Sequence, residues 1–212
     1  MKALLALLIC GTVLSQNVQA EDFAGIVQLK GDTLQDATFK GIVNLTNVKA
    51  DSLDITGPLG FNNLEVKNDT TIVGPVEKSK EGKFNNLKVT GPFETENVTC
   101  TNLDVTGSVT ATNLKVEKDA TVTGGFELNK SSLNNLTITS DNIVLKNTEV
   151  SGNIVVKKES GVLGKIKNQE LRLEGKTTVK GTVTFESGEG KIVQASEAKI
   201  EGAVTGATVE KK

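Results

Sequence analysis

Residues Thr56–Phe93 read TGPLGFNNLEVKNDTTIVGPVEKSKEGKFNNLKVTGPF. The stretch holds Pro58, Pro75 and Pro92, the three prolines of the chain, seventeen residues apart both times. Each follows a glycine and precedes an apolar residue. Proline has no N–H to give to a neighbouring strand, so it is excluded from central ladder positions and tolerated at corners. Glycine before it permits a sharp or left-handed backbone. The spacing therefore marks one corner of a winding chain, seen from successive turns.

The Gly-x-apolar signal extends beyond the prolines. It recurs as Gly25-Ile26-Val27, Gly41-Ile42-Val43, Gly107-Ser108-Val109 and Gly124-Gly125-Phe126, giving steps of 16, 16, 17, 17, 16 and 17 residues. A longer duplication underlies it. Residues 53–80 match residues 103–130 at twelve of 28 positions, an offset of three turns. Self-similarity at a fixed period signals a repeat architecture. Within a turn the apolar residues come in i, i+2 pairs, such as Leu103/Val105, Val109/Ala111, Leu114/Val116, Ala120/Val122 and Phe126/Leu128. Period two is a strand with one face buried. Thr, Val and Ile fill these segments, and Gly, Asn and Asp crowd the junctions.

The sequence thus predicts an all-β protein: a single three-sided parallel β-solenoid of 16–17 residues per turn. About eleven turns would stack ~4.8 Å apart into a rod of ~50 Å. A lone turn buries too little to fold, so stability comes from neighbouring turns. Regular turns are expected over 25–140 and less regular ones over 141–212. Gly152, Gly164, Gly181 and Gly202 break the spacing, which points to longer corners or bulges there. Residues 77–83, EKSKEGK, read as a polar corner loop.

The first twenty residues, MKALLALLICGTVLSQNVQA, carry one Lys, an apolar run and a small-residue ending. That is the pattern of a secretory signal peptide, and its apolar run is short of the ~20 residues of a membrane span. Cleavage is expected after Ala20. Lipidation at Cys10 is the alternative, disfavoured because Ile9 stands where a small residue should. The expected product is exported, to the periplasm, cell surface or extracellular space. Loss of Lys2 and no acid leaves 23 basic against 26 acidic residues, a balance with no attraction for nucleic acid. Cys100 would be the only remaining thiol, so no internal disulfide can form.

The chain has no His, Trp or Tyr and a single Arg, Arg172. His-based general bases and His metal sites are excluded. Asp54 and Asp104 are three turns apart, too far to act as a catalytic pair. Gly188-Glu189-Gly190-Lys191 is too short for a phosphate loop. No catalytic, cofactor-binding or metal-ligating residue is assigned, and no cofactor is expected. Cys100 reads as a small core residue. Asn63, Asn86, Asn102, Asn113 and Asn135 each precede Leu and read as corner residues. Sequons at Asn44, Asn68, Asn97, Asn129 and Asn135 arise from composition. Thr56, Thr90, Thr106, Thr123 and Thr139 should project outward in one column interrupted by Val73. The adjacent outward column, Asp54, Thr71, Lys88, Asp104 and Thr121, carries charges that break the flat Thr array an ice-binding surface needs.

The stretch GSVTATNLKVEKDATVTGGF, Gly107–Phe126, resembles the repeat of bactofilins. The likeness extends over Gly25–Phe126 as a repeat-level pattern. Bactofilins are cytoplasmic polymer-forming proteins with a right-handed triangular β-helix, and the resemblance implies that fold and handedness here; no functional residue transfers. The leading expectation is a non-enzymatic, exported structural or interaction protein. Its partner would be itself or another envelope or extracellular protein, with end-to-end pairing through residues near Glu21–Val27 and Ala203–Val209. The alternative is a surface adhesin or ligand-binding module. An ice-binding protein or a polysaccharide-active enzyme ranks below both.

Overall fold

The computed structural model describes residues 21–158 and 168–212. The expected leader and Gly164 lie outside the described residues. The described chain is all-β and winds as a parallel solenoid of about eleven turns. Its first strands wrap around corners without interruption: β1 Glu21–Lys30, β2 Thr33–Thr56, β3 Leu59–Val73, β4 Val76–Thr90 and β5 Phe93–Thr106. Each pairs in parallel with the next.

One inward column shows the winding. Val27, Val43, Leu59, Val76, Phe93, Val109, Phe126, Ile143, Leu171, Ile192 and Val209 are successive register partners. Each turn has three faces, and each face turns an i, i+2 pair inward. In one turn these are Val43/Leu45, Val48/Ala50 and Leu53/Ile55, all buried. Such columns form one continuous core along the rod. Burying a large apolar side chain contributes ~1.5–3 kcal/mol, and those of the interior turns are covered by the rungs above and below.

The seventeen-residue spacing of the prolines has two separate origins. Between Gly57 and Gly74 the extra residue sits at the third corner, where Ala50 and Leu53 pair with Val66 and Thr70. Between Gly74 and Gly91 it sits on the first face, where Val76 and Ser79 pair with Phe93 and Thr95. Both insertions return the chain to register, so the corner stays aligned.

The second insertion corrects the reading of residues 77–83 as a polar corner loop. They lie inside strand β4. Ser79 turns inward and is fully buried. Its hydroxyl accepts from the Phe61 N–H at 3.0 Å, and its carbonyl accepts from the Thr95 hydroxyl at 3.1 Å. Glu81 alone makes the corner, with φ 56°. Composition concealed this, because Lys and Glu occupy the outward positions.

Spacing does loosen toward the C-terminus. Ile143 and Leu171 are adjacent rungs 28 positions apart, and Leu171 and Ile192 are 21 apart. Gly152, Gly181 and Gly202 nevertheless form a close column. A side chain on Gly181 would overlap the Gly152 carbonyl, and one on Gly202 that of Gly181. This column stands at the third corner, two residues before Ile154, Val183 and Val204, whereas the earlier glycines stand at the first.

Candidate functional site

Three corners impose three different backbone demands. At the first, Gly41, Gly57, Gly74, Gly91, Gly107 and Gly124 have φ between 132° and 148°. A side chain on any of them would overlap the carbonyl of the glycine one rung earlier. The residue after each glycine faces outward. Pro58 and Pro92 are exposed, and their carbonyls accept from Val43 at 2.9 Å and Val76 at 2.8 Å.

The recurring Asn-Leu pairs divide between the other two corners. Asn47, Asn63, Asn97 and Asn113 occupy the second corner with φ from 52° to 60°, the left-handed region that Asn tolerates. Their side chains link rungs, as Asn63 Nδ2 donates to Asn47 Oδ1 and Asn113 Nδ2 to Asn97 Oδ1, each at 2.8 Å. Asn86, Asn102 and Asn135 stand at the third corner without positive φ. There Asn86 donates to Asp69 and Asn102 to Asn86 at 2.8 Å, while Asn135 donates to Asp119 at 3.0 Å. One sequence motif thus serves two geometries.

A column of buried hydroxyls went unread in the sequence. Ser131, Thr148 and Thr177 face inward where Leu64, Val98 and Leu114 stand in earlier turns. The N–H groups of Leu114, Ser131 and Thr148 donate to the hydroxyls of Ser131, Thr148 and Thr177 at 3.0, 3.3 and 3.2 Å. Each hydroxyl donates in turn to a carbonyl of its own corner. The available signal was the i, i+2 phase of Ser131/Leu133, Thr148/Val150 and Thr177/Val179.

Cys100 is fully buried. Desolvation, with a smaller push from the Glu117 charge, raises its thiol pKa to about 12. Asp54 and Asp104 sit on the same outward column, separated by Thr71 and Lys88. Lys191 of the Gly188–Lys191 stretch lies in a ladder strand and pairs with Glu210 at 2.8 Å. Among the sequons, Asn44 and Asn68 are exposed, while Asn97 and Asn135 are engaged in the corner bonds above. Among the described residues no three His, Cys, Asp or Glu side chains gather where a metal ion could be held. No described helix is long and apolar enough to cross a membrane.

The third face is the most uniform outward surface. Thr56, Val73, Thr90, Thr106, Thr123 and Thr139 are register partners and all face outward, as do Asp54, Thr71, Lys88, Asp104 and Thr121 beside them. The second face also carries cross-rung ion pairs, Lys49–Glu65 at 3.3 Å and Lys67–Asp51 at 2.7 Å. These are exposed to solvent, which screens them.

The fold defines the chain as a parallel β-solenoid. No family model matches it, and no curated protein or solved structure does either.

Proposed function

We propose that the protein is an exported, non-enzymatic structural or interaction rod that associates with itself end to end. The supporting observation is the arrangement of terminal strands. Among the described residues, β1 is hydrogen-bonded on one side only, to β2, and Ala207–Lys211 on one side only, to Gly190–Gln194. Val209 in that last strand occupies a core column yet is 42% exposed. Unpaired parallel edges, one of them with its core column partly open, template further pairing. The leader pattern of residues 1–20 supports export, and the bactofilin-like repeat supports assembly.

Localisation of a tagged full-length chain tests export; retention in the cytoplasm would overturn it. Electron microscopy and sedimentation of the purified protein test assembly. Concentration-dependent elongated species are expected, and a strict monomer at high concentration would overturn the assembly reading.

A further inference from the structure

We infer that two copies of this chain pair side by side through the third face, about a two-fold axis lying in the rung of Thr71 and Val73. Parallel sheets are commonly covered on both faces, and here the outer surface of the third face is bare. At its middle stands Val73, 47% exposed and one of the few large exposed hydrophobic residues among those described.

Two opposite charges flank the Val73 rung in one outward column. Asp54 lies one rung before and Lys88 one rung after, both beside Thr71 in the same column. Two rungs after comes Asp104. Two rungs before, in the neighbouring Thr56–Val73 column, comes Lys40, next to Gly41, which stacks directly on the Gly57 corner. A two-fold axis running along the strand direction at Val73 inverts the rung order of the second copy. Asp54 then faces Lys88 of the other copy, and Asp104 comes opposite the rung that holds Lys40. Asp54 and Lys88 therefore meet in two equivalent pairs across the axis, while Val73 meets its own equivalent. Such self-complementarity is what an isologous interface requires. Within one copy only Lys88 and Asp104 are paired, at 3.9 Å, and the described residues offer Asp54 and Lys40 no ion pair.

Size fits a modest association. Seven rungs of ~4.8 Å by a strand of about five residues at ~3.3 Å each give a flat area of roughly 500 Å² per copy. The pair then buries about 1,000 Å², the lower end of a specific interface. The contact is independent of the rod ends, so it survives or fails separately from end-to-end assembly.

Cysteine cross-linking locates the face. Val73→Cys places equivalent thiols on the axis, and the native Cys100 is buried and does not compete. Under mild oxidation Val73→Cys is expected to form a covalent dimer at least tenfold faster than Thr110→Cys, an exposed position on the first face. Sedimentation equilibrium then tests the charges. Asp54→Lys should weaken dimerisation about tenfold, and the double variant Asp54→Lys/Lys88→Asp should restore it, because the exchanged charges again meet opposites. Equal cross-linking rates at positions 73 and 110 would overturn the inference. A dimer unaffected by Asp54→Lys, or a double variant no better than the single one, would do so too. Circular dichroism of each variant confirms that the fold is retained, and all substituted positions are exposed.

Discussion

Gly82 faces the core between Phe61 and Phe84, whose rings meet edge to face with centroids 5.6 Å apart. A Cβ on Gly82 would stand 2.6 Å from the Phe84 ring and 2.9 Å from that of Phe61. This glycine occupies an inward position that other turns fill with Leu64, Val98 or Leu114, and the two rings take the missing volume. Gly82→Val should therefore destabilise the protein by about 1–3 kcal/mol through overpacking. Denaturant unfolding measures it. A neutral result would mean that the rings do not fill this space.

The first corner gives a graded prediction. Gly25→Ala meets no neighbour, although its φ of 99° disfavours a side chain. Gly74→Ala has the same backbone handicap and also overlaps the Gly57 carbonyl. The first should cost roughly 1 kcal/mol and the second clearly more, read as the difference in unfolding midpoints.

Thr70 is buried, and its hydroxyl finds no hydrogen-bond partner. Its register partners Leu53 and Leu87 are apolar. Thr70→Val preserves shape and removes an unsatisfied polar group, so it should stabilise by about 1 kcal/mol. Thr148→Val should do the opposite, because the Thr148 hydroxyl serves the Ser131 N–H and the Lys146 carbonyl.

Cys100 should resist alkylation in the native protein near pH 8 and react fully once the chain unfolds. Its raised pKa also gives stability a pH dependence. Below the ordinary thiol range both states are protonated, and the contribution is intact. As pH climbs toward about 12 the unfolded chain loses its proton while the folded thiol keeps it. Stability therefore falls across that window, and Cys100→Ala should flatten the fall in an unfolding series.

The two Asn corners separate under glycine substitution. Asn63→Gly keeps a residue suited to φ 60° and gives up one inter-rung bond. Asn86→Gly interrupts a chain of bonds from Asp69 to Asn102 and gains nothing from glycine's freedom. The Asn86 variant should be the less stable of the two by thermal melting.

Period and pairing were legible because the solenoid repeats one physical problem. Gly57-Pro58 and Leu53/Ile55 each announce their surroundings without reference to distant residues. The outward Thr column and the buried Cys100 followed from phase alone. Ser79 escaped because its neighbours Lys80 and Glu81 are polar for reasons of their own, and inward polarity cannot be told from outward polarity by composition. The split between Asn63 and Asn86 escaped because both precede Leu; only the count of residues since the first-corner glycine, Gly57 or Gly74, separates them. Asp54 and Lys88, which flank the Val73 rung with opposite charge, belong to different turns, so their relation emerges only when the turns are stacked.

The Gly25–Gly124 corner column carries a genealogical consequence. Since each glycine fits against the one before it, a segment such as Gly74–Thr90 has entry and exit surfaces that already match. Copying or excising such a segment through unequal recombination would lengthen or shorten the molecule and require no new contact. The likeness between residues 53–80 and 103–130 is the kind of record such a history leaves.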